Sequence, residues 1–159
     1  SLLELLQEMG QDLEIGHDHI RIRGRSPIKP ISVSTEPYPG FPTDLHPQLV
    51  ALATLAKGTT TVTENIFNGR FMYAMELVRL GGDVRVSHRD VIIRGVKQLD
   101  GAPVDAPDIR AGGALVCAAL AAHGESTISG VNFIDRGYQE IEKRLAVLGA
   151  KIVRADFED

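Results

Sequence analysis

Apolar and polar positions follow two alternating rhythms along this chain. Near the start, Leu2, Leu3, Leu5, Leu6 and Met9 form one apolar helical face, and Gly10 reads as its C-terminal stop. Two short alternating runs follow in "LLQEMGQDLEIGHDHIRIRG". The same order of helix, glycine and paired runs returns in "LVRLGGDVRVSHRDVIIRG", and "LAVLGAKIVRAD" begins a third copy. In the first two copies the turns "GHDH" and "SHRD" separate runs rich in Val and Ile, which predicts hairpins.

A second pattern lies between these. "PTDLHPQLVALATLAKGTTTVTENIF" reads as a helix, a glycine stop and a Thr/Val strand, and "APDIRAGGALVCAALAAHGESTISGVNF" matches it. Gly58 then corresponds to Gly124 and Arg70 to Arg136, an internal repeat with one fixed offset. The helices predicted at about 44–57, 71–81, 108–122 and 138–148 are apolar along most of their length, which favours helices sandwiched under sheets. The expected class is therefore α+β: repeated units with helices inside and mixed sheets outside. No low-complexity segment or linker interrupts them.

Composition narrows the function classes. The 159 residues suffice for one core, so the chain is one domain or one lobe of something larger. A net charge of −4 argues against a nucleic-acid partner and gives no global attraction for anions, so an anionic ligand would need a local arginine cluster. The longest strongly apolar run, residues 114–122, is about half of a membrane span. Cys117 is the one cysteine, which excludes an internal disulfide and suits a reducing cytosol. The chain opens without Met inside an amphipathic helix and has no signal peptide, so a preceding segment is expected.

Two aspartates and three arginines stand out. Asp44 follows the stiff stretch "YPGFPT" at a predicted helix start, and Asp108 follows "AP" at the matching start. Each is a helix cap or first-turn acid, or a carboxylate aimed at a ligand. Arg70, Arg110 and Arg136 sit near strand-to-helix junctions, where surface ion pairs compete with a converging anion site. Cys117, among small apolar neighbours, is expected to be a buried structural thiol. His17 and His19 flank Asp18 in a turn without metal-ligand spacing, and Gly112 and Gly113 read as close-packing positions.

The segments "GFPTD", "ENIFNGRFMYAMEL", "APDIRAGGALV" and "FIDRGYQEIEKRLAVLGA" closely resemble the UDP-N-acetylglucosamine enolpyruvyltransferases (1-carboxyvinyltransferases), in their C-terminal part only. The related 5-enolpyruvylshikimate-3-phosphate synthases share the fold but lack the "FPTD" and "IFxxRF" style of motif. The resemblance implies an inside-out α/β barrel lobe, with a partial unit at 1–30 and repeated units at about 31–98 and 99–159. It implies transfer of the enolpyruvyl group of phosphoenolpyruvate to the sugar 3-hydroxyl, with phosphate release. That is the first committed step of peptidoglycan synthesis, in the bacterial cytoplasm, with neither metal nor cofactor. On this pattern Asp44 is the general base, and Ile66 and Phe67 line the nucleotide-sugar site. Arg110 and Arg136 face phosphoenolpyruvate, Arg70 is a further cleft arginine, and Asp108 is an acid near the reacting centre. Gly69, Tyr73 and His46 depart from the usual residues; histidine is usual at 73 and glutamine common at 46.

The family's proton-donating cysteine or aspartate and its Lys-Asn pair have no counterpart in this chain, and Cys117 lies in a different motif. The chain alone is thus expected to be inactive and to need the N-terminal lobe as partner. The alternatives are a non-catalytic lobe that binds UDP-sugars or anions, and a structural lobe that self-associates.

Overall fold

The computed structural model describes residues 1–155. Helix α1 (Leu2–Glu8) leads into the hairpin β1 (Asp12–Ile15) and β2 (Ile20–Arg23). Strand β3 (Ser32–Ser34), a 3-10 turn (Thr43–Leu45), α2 (His46–Ala53), β4 (Thr59–Thr63), α3 (Met72–Arg79), β5 (Asp83–Ser87) and β6 (Asp90–Arg94) follow. The remainder is β7 (Pro103–Asp105), α4 (Ile109–Ala121), β8 (Thr127–Ser129), α5 (Val131–Ile134) and α6 (Ile141–Val147).

Both expected hairpins form. β1 and β2 pair antiparallel with Ile15 opposite Ile20, and β5 and β6 pair with Ser87 opposite Asp90. His88, in the second turn, takes the left-handed conformation at φ 55°. Four strands make one mixed sheet in the order β3-β4-β6-β5, and β7 pairs with β8 alone. The β3–β4 and β7–β8 pairs are parallel. Parallel neighbours need a crossover, and α2 and α4 supply the two crossovers.

The strands bury alternate positions. Thr60 and Val62 of β4 and Val91 and Ile93 of β6 point into the core, as period-2 patterning dictates. α2 and α4 pack against each other at the centre. Six of the eight residues of α2 are buried, and α4 buries an unbroken run from Ala111 to Val116. Residues this small let two helix backbones come close, so both helices lie inside as expected. α3 is amphipathic: Tyr73, Ala74 and Leu77 are buried, whereas Met72, Met75 and Val78 face out.

Two expectations are corrected. α6 is not sandwiched: it has no buried residue, Val147 and Leu148 are exposed, and no strand follows it through residue 155. Only Ile141 and Leu145 reach a small cluster of Ala106, Val116 and Ile134. Cys117 is exposed, not buried. The buried face of α4 runs through Ala111, Ala114, Leu115 and Ala118, and Cys117 and Leu120 fall on the other side of the helix. The helix mass around it still pushes the thiol up. No helix among the described residues is long and apolar enough to cross a membrane.

Candidate functional site

The two parallel crossovers can be aligned by their hydrogen bonds. Just past β3, the Thr35 amide donates to the Thr63 carbonyl at 2.8 Å; just past β7, the Ala106 amide donates to the Ser129 carbonyl at 3.1 Å. Thr35 therefore corresponds to Ala106, and Glu64, next after Thr63, corresponds to Gly130. From Ala106 the chain reaches Asp108 within two positions. From Thr35 it takes nine positions to reach Asp44, through "EPYPGFPT".

That difference in length changes what the two aspartates do. Asp108 is the N-cap of α4: its Oδ1 accepts from the Arg110 amide at 2.8 Å and the Ala111 amide at 3.1 Å. Asp44 caps nothing. It sits in the 3-10 turn before α2, where neither helical start shows a side-chain capping bond. The loop before it is pinned by buried Phe41, by the Glu36 amide donating to the Phe41 carbonyl at 2.9 Å, and by the Gly40 amide donating to the Pro37 carbonyl at 2.8 Å. Its carboxylate, 73% exposed, accepts from Arg110 Nη1 at 3.0 Å. The loop thus holds Asp44 outward, against a guanidinium from the other unit.

Arg110 also keeps its Nε 3.5 Å from Asp108 Oδ1. Beside it opens a recess lined by Thr43, His46, Glu64, Arg70, Tyr73 and Asp108. The Arg70 guanidinium lies 3.3 Å from the centroid of the Phe67 ring, and its Nη1 is buried with no hydrogen-bond partner among the described residues. A buried, unpartnered N–H on a permanent cation is costly and is readily satisfied by an anion. Ile66 and Phe67 are partly exposed next to it. Arg136 does not line the recess. It is exposed and lies over Phe133 at 4.9 Å, repeating the Phe67–Arg70 stack at the fixed offset. Asp108, Arg70 and Arg110 thus line one recess, Asp44 joins them through its bond to Arg110, and Arg136 stands apart.

One residue that lines the recess was not marked by the sequence. Glu64, 1% exposed, ends a Thr-rich strand and looks there like an ordinary polar strand end. Its Oε1 accepts from the Thr35 hydroxyl at 2.7 Å and from the Ile66 and Phe67 amides at 2.7 and 3.1 Å, and its Oε2 from the Thr43 hydroxyl at 2.7 Å. Burial opposes ionisation of Glu64, but the bonds from Thr43, Thr35, Ile66 and Phe67 outweigh it and hold the carboxyl below its ordinary value. His46 Nδ1 is 3.6 Å from Glu64 Oε2. Burial lowers the imidazole to about 4, against the pull of Glu64, so the ring is neutral at pH 7. The Tyr73 hydroxyl lies 3.4 Å from both ring nitrogens, and burial raises it far above its usual value, aided by Glu64. Two of the three departures noted in the sequence, at 46 and 73, are therefore neighbours.

The chain matches a known group of proteins in sequence and in fold. A family model described as EPSP synthase (3-phosphoshikimate 1-carboxyvinyltransferase) matches residues 1–145. A UDP-N-acetylglucosamine 1-carboxyvinyltransferase of Symbiobacterium thermophilum is 48% identical over 151 residues, covering 95% of this chain and 36% of the relative. One from Desulfofundulus thermocisternus is 45% identical over 158 residues, covering 99% of this chain and 65% of the relative. The chain therefore spans between about a third and two thirds of the length of the curated relatives it matches. Among solved structures, the enolpyruvyl transferase NikO of Streptomyces tendae superposes with a TM-score of 0.89 at 29% identity, over 97% of this chain and 36% of NikO. An EPSP synthase of Acinetobacter baumannii, at 18% identity and a TM-score of 0.60, shares the fold.

Proposed function

The chain belongs to the EPSP synthase family of enolpyruvyl transferases, and we propose that it is one part of a UDP-N-acetylglucosamine 1-carboxyvinyltransferase of bacterial cell-wall synthesis, acting in the cytoplasm. The observation that carries this is a recess lined by both Arg70 and Arg110, where Arg70 keeps an unpartnered buried N–H and Arg110 also holds the outward carboxylate of Asp44. Such a site offers a base and fixed cations within one small volume, which an anionic acceptor and an anionic donor both require.

In the proposed reaction Asp44 takes the proton of the sugar 3-hydroxyl as that oxygen bonds to C2 of phosphoenolpyruvate. C3 gains a proton from a donor outside this chain, giving a tetrahedral ketal phosphate. Loss of phosphate with a C3 proton then restores the enol ether. Arg110 and Arg136 hold the phosphoenolpyruvate charge, and Arg70 lines the cleft beside it. Ile66 and Phe67 receive the nucleotide sugar, and Asp108 stays near the reacting centre while it caps α4. The other lobe of the enzyme is the partner that completes the cleft. On this view residues 1–30 end one unit, and 31–98 and 99–159 form two more.

The test is phosphate release from phosphoenolpyruvate and UDP-N-acetylglucosamine, measured for this chain alone and complemented with the part of a relative that it does not span. We expect none from the chain alone and turnover on complementation. Asp44→Asn should then lower kcat by at least about 10²-fold while sugar-nucleotide binding is kept, because shape stays and the base goes. Near-normal turnover would remove Asp44 from its role, and no turnover by a folded complemented enzyme would overturn the proposal.

A further inference from the structure

We propose that Glu64 is a positioning residue: its buried carboxylate locks the Asp44 loop to the 66–67 turn and so fixes where Asp44 stands relative to the sugar-binding segment. The inference rests on the roles given above to Asp44, Ile66 and Phe67, and deepens them.

The bonds of Glu64 go to three separate pieces of chain. Thr35 marks the end of β3 and Thr43 directly precedes Asp44. The Ile66 and Phe67 amides belong to the turn that leads to Arg70. Thr35 completes the lock, since its hydroxyl oxygen also accepts from the Asn65 amide at 2.9 Å. One carboxylate bridges Thr43 and the 66–67 turn, with Oε2 on the Thr43 side and Oε1 on the other.

The second unit supplies an internal control. It makes the same parallel strand–helix–strand step, yet Ala106 and Gly130 stand where the first unit has Thr35 and Glu64, and Pro107 precedes the aspartate where Thr43 does. There the aspartate needs no outside support, because it is bonded to its own helix. The crossover thus folds without a buried carboxylate. A buried charge is expensive to desolvate unless hydrogen bonds compensate it, as four do here. Here it accompanies the one aspartate of the pair that has been lifted off its helix.

The experiment uses Thr43→Val, Thr43→Ser and Glu64→Gln in the complemented enzyme, with kinetics and amide hydrogen exchange read together. Thr43→Val removes the bond to the Asp44 loop with little change of shape. A misplacement of about 1 Å at a reacting group costs up to roughly 10²-fold. We expect kcat to fall roughly 10- to 100-fold with the sugar-nucleotide KM nearly unchanged, and Thr43→Ser to restore most of it. In an Asp44→Asn background Thr43→Val should cost little more, because both act through one group. Exchange should rise across residues 36–45 in Thr43→Val, and at Ile66 and Phe67 as well in Glu64→Gln, with α2 and α4 still protected. Unchanged kcat in Thr43→Val and Glu64→Gln, or exchange rising evenly through the core, would overturn the inference. If wild-type enzyme releases no phosphate, the proposed function fails, and the exchange pattern alone still decides whether Glu64 holds the loop.

Discussion

His46 is buried at 1% exposure, and among the described residues its ring nitrogens meet only the Tyr73 hydroxyl at 3.4 Å and Glu64 at 3.6 Å, too far for strong bonds. Its folded value of about 4 lies below the ordinary 6.5, so between these limits the unfolded chain binds a proton that the native chain does not. Stability must therefore rise with pH across that window and be lost as pH falls through it. The loss from pH 7 to pH 5 is on the order of 2 kcal/mol for this one group. Urea midpoints at the two pH values check it: His46→Gln, which cannot titrate, should lose about that much less than the wild type. Equal losses would mean that the ring is not held neutral. The sequence singled out His46 and Tyr73 only as unusual residues. Their pairing was not legible, because 27 positions separate them and only the crossover brings α2 beside the start of α3.

At the scale of elements, the glycine pair of α4 decides how closely its partners approach. A Cβ at Gly112 would lie 2.5 Å from Ile134 Cγ1, and one at Gly113 2.6 Å from the Tyr138 hydroxyl. The sequence assigned these glycines to close packing, and α5 and the chain after it are what they admit. Gly112→Ala gains up to about 1 kcal/mol of helix propensity. Buried Ile134 cannot yield freely, so overpacking costs about 1–3 kcal/mol. A net loss of about 1 kcal/mol is expected, read as a lower Tm in thermal unfolding. A raised Tm would show that α5 moves away without cost. Elements were legible where periodicity was strong: both hairpins, α3 and α4 form where the pattern predicts them. The helix expected at 44–57 is shorter: it is preceded by a 3-10 turn at Thr43–Leu45 and ends at Ala53. α6 shows the limit of composition. An apolar stretch predicts a helix but not what covers it, and among the described residues only a small cluster meets Ile141 and Leu145 of this helix.

Across the whole molecule, two related units contribute unequally to one site. Arg70 and Arg136 are repeat mates, each stacked on a phenylalanine three residues earlier, yet only Arg70 lines the recess. The fixed offset was legible in the sequence; which mate faces the recess was not, because it depends on how α2 and α4 pack. On the proposed function, Arg136 meets phosphoenolpyruvate only when the complete cleft brings the units and the other lobe around it. Its stack on Phe133 keeps the guanidinium plane defined meanwhile. Arg136→Lys substitutes a point charge for that planar fork and loses both the stack and a two-pronged grip on phosphate or carboxylate. Hydrogen bonds to charged groups contribute about 1.5–3 kcal/mol, so the complemented enzyme should lose roughly 10- to 100-fold in kcat/KM for phosphoenolpyruvate. Binding of UDP-N-acetylglucosamine alone should stay within about threefold, since that ligand is assigned to the Ile66–Phe67 side of the cleft. Titrating each substrate separately checks both halves. If the response to phosphoenolpyruvate is unchanged, Arg136 belongs to the surface and Arg70 and Arg110 carry the anion without it.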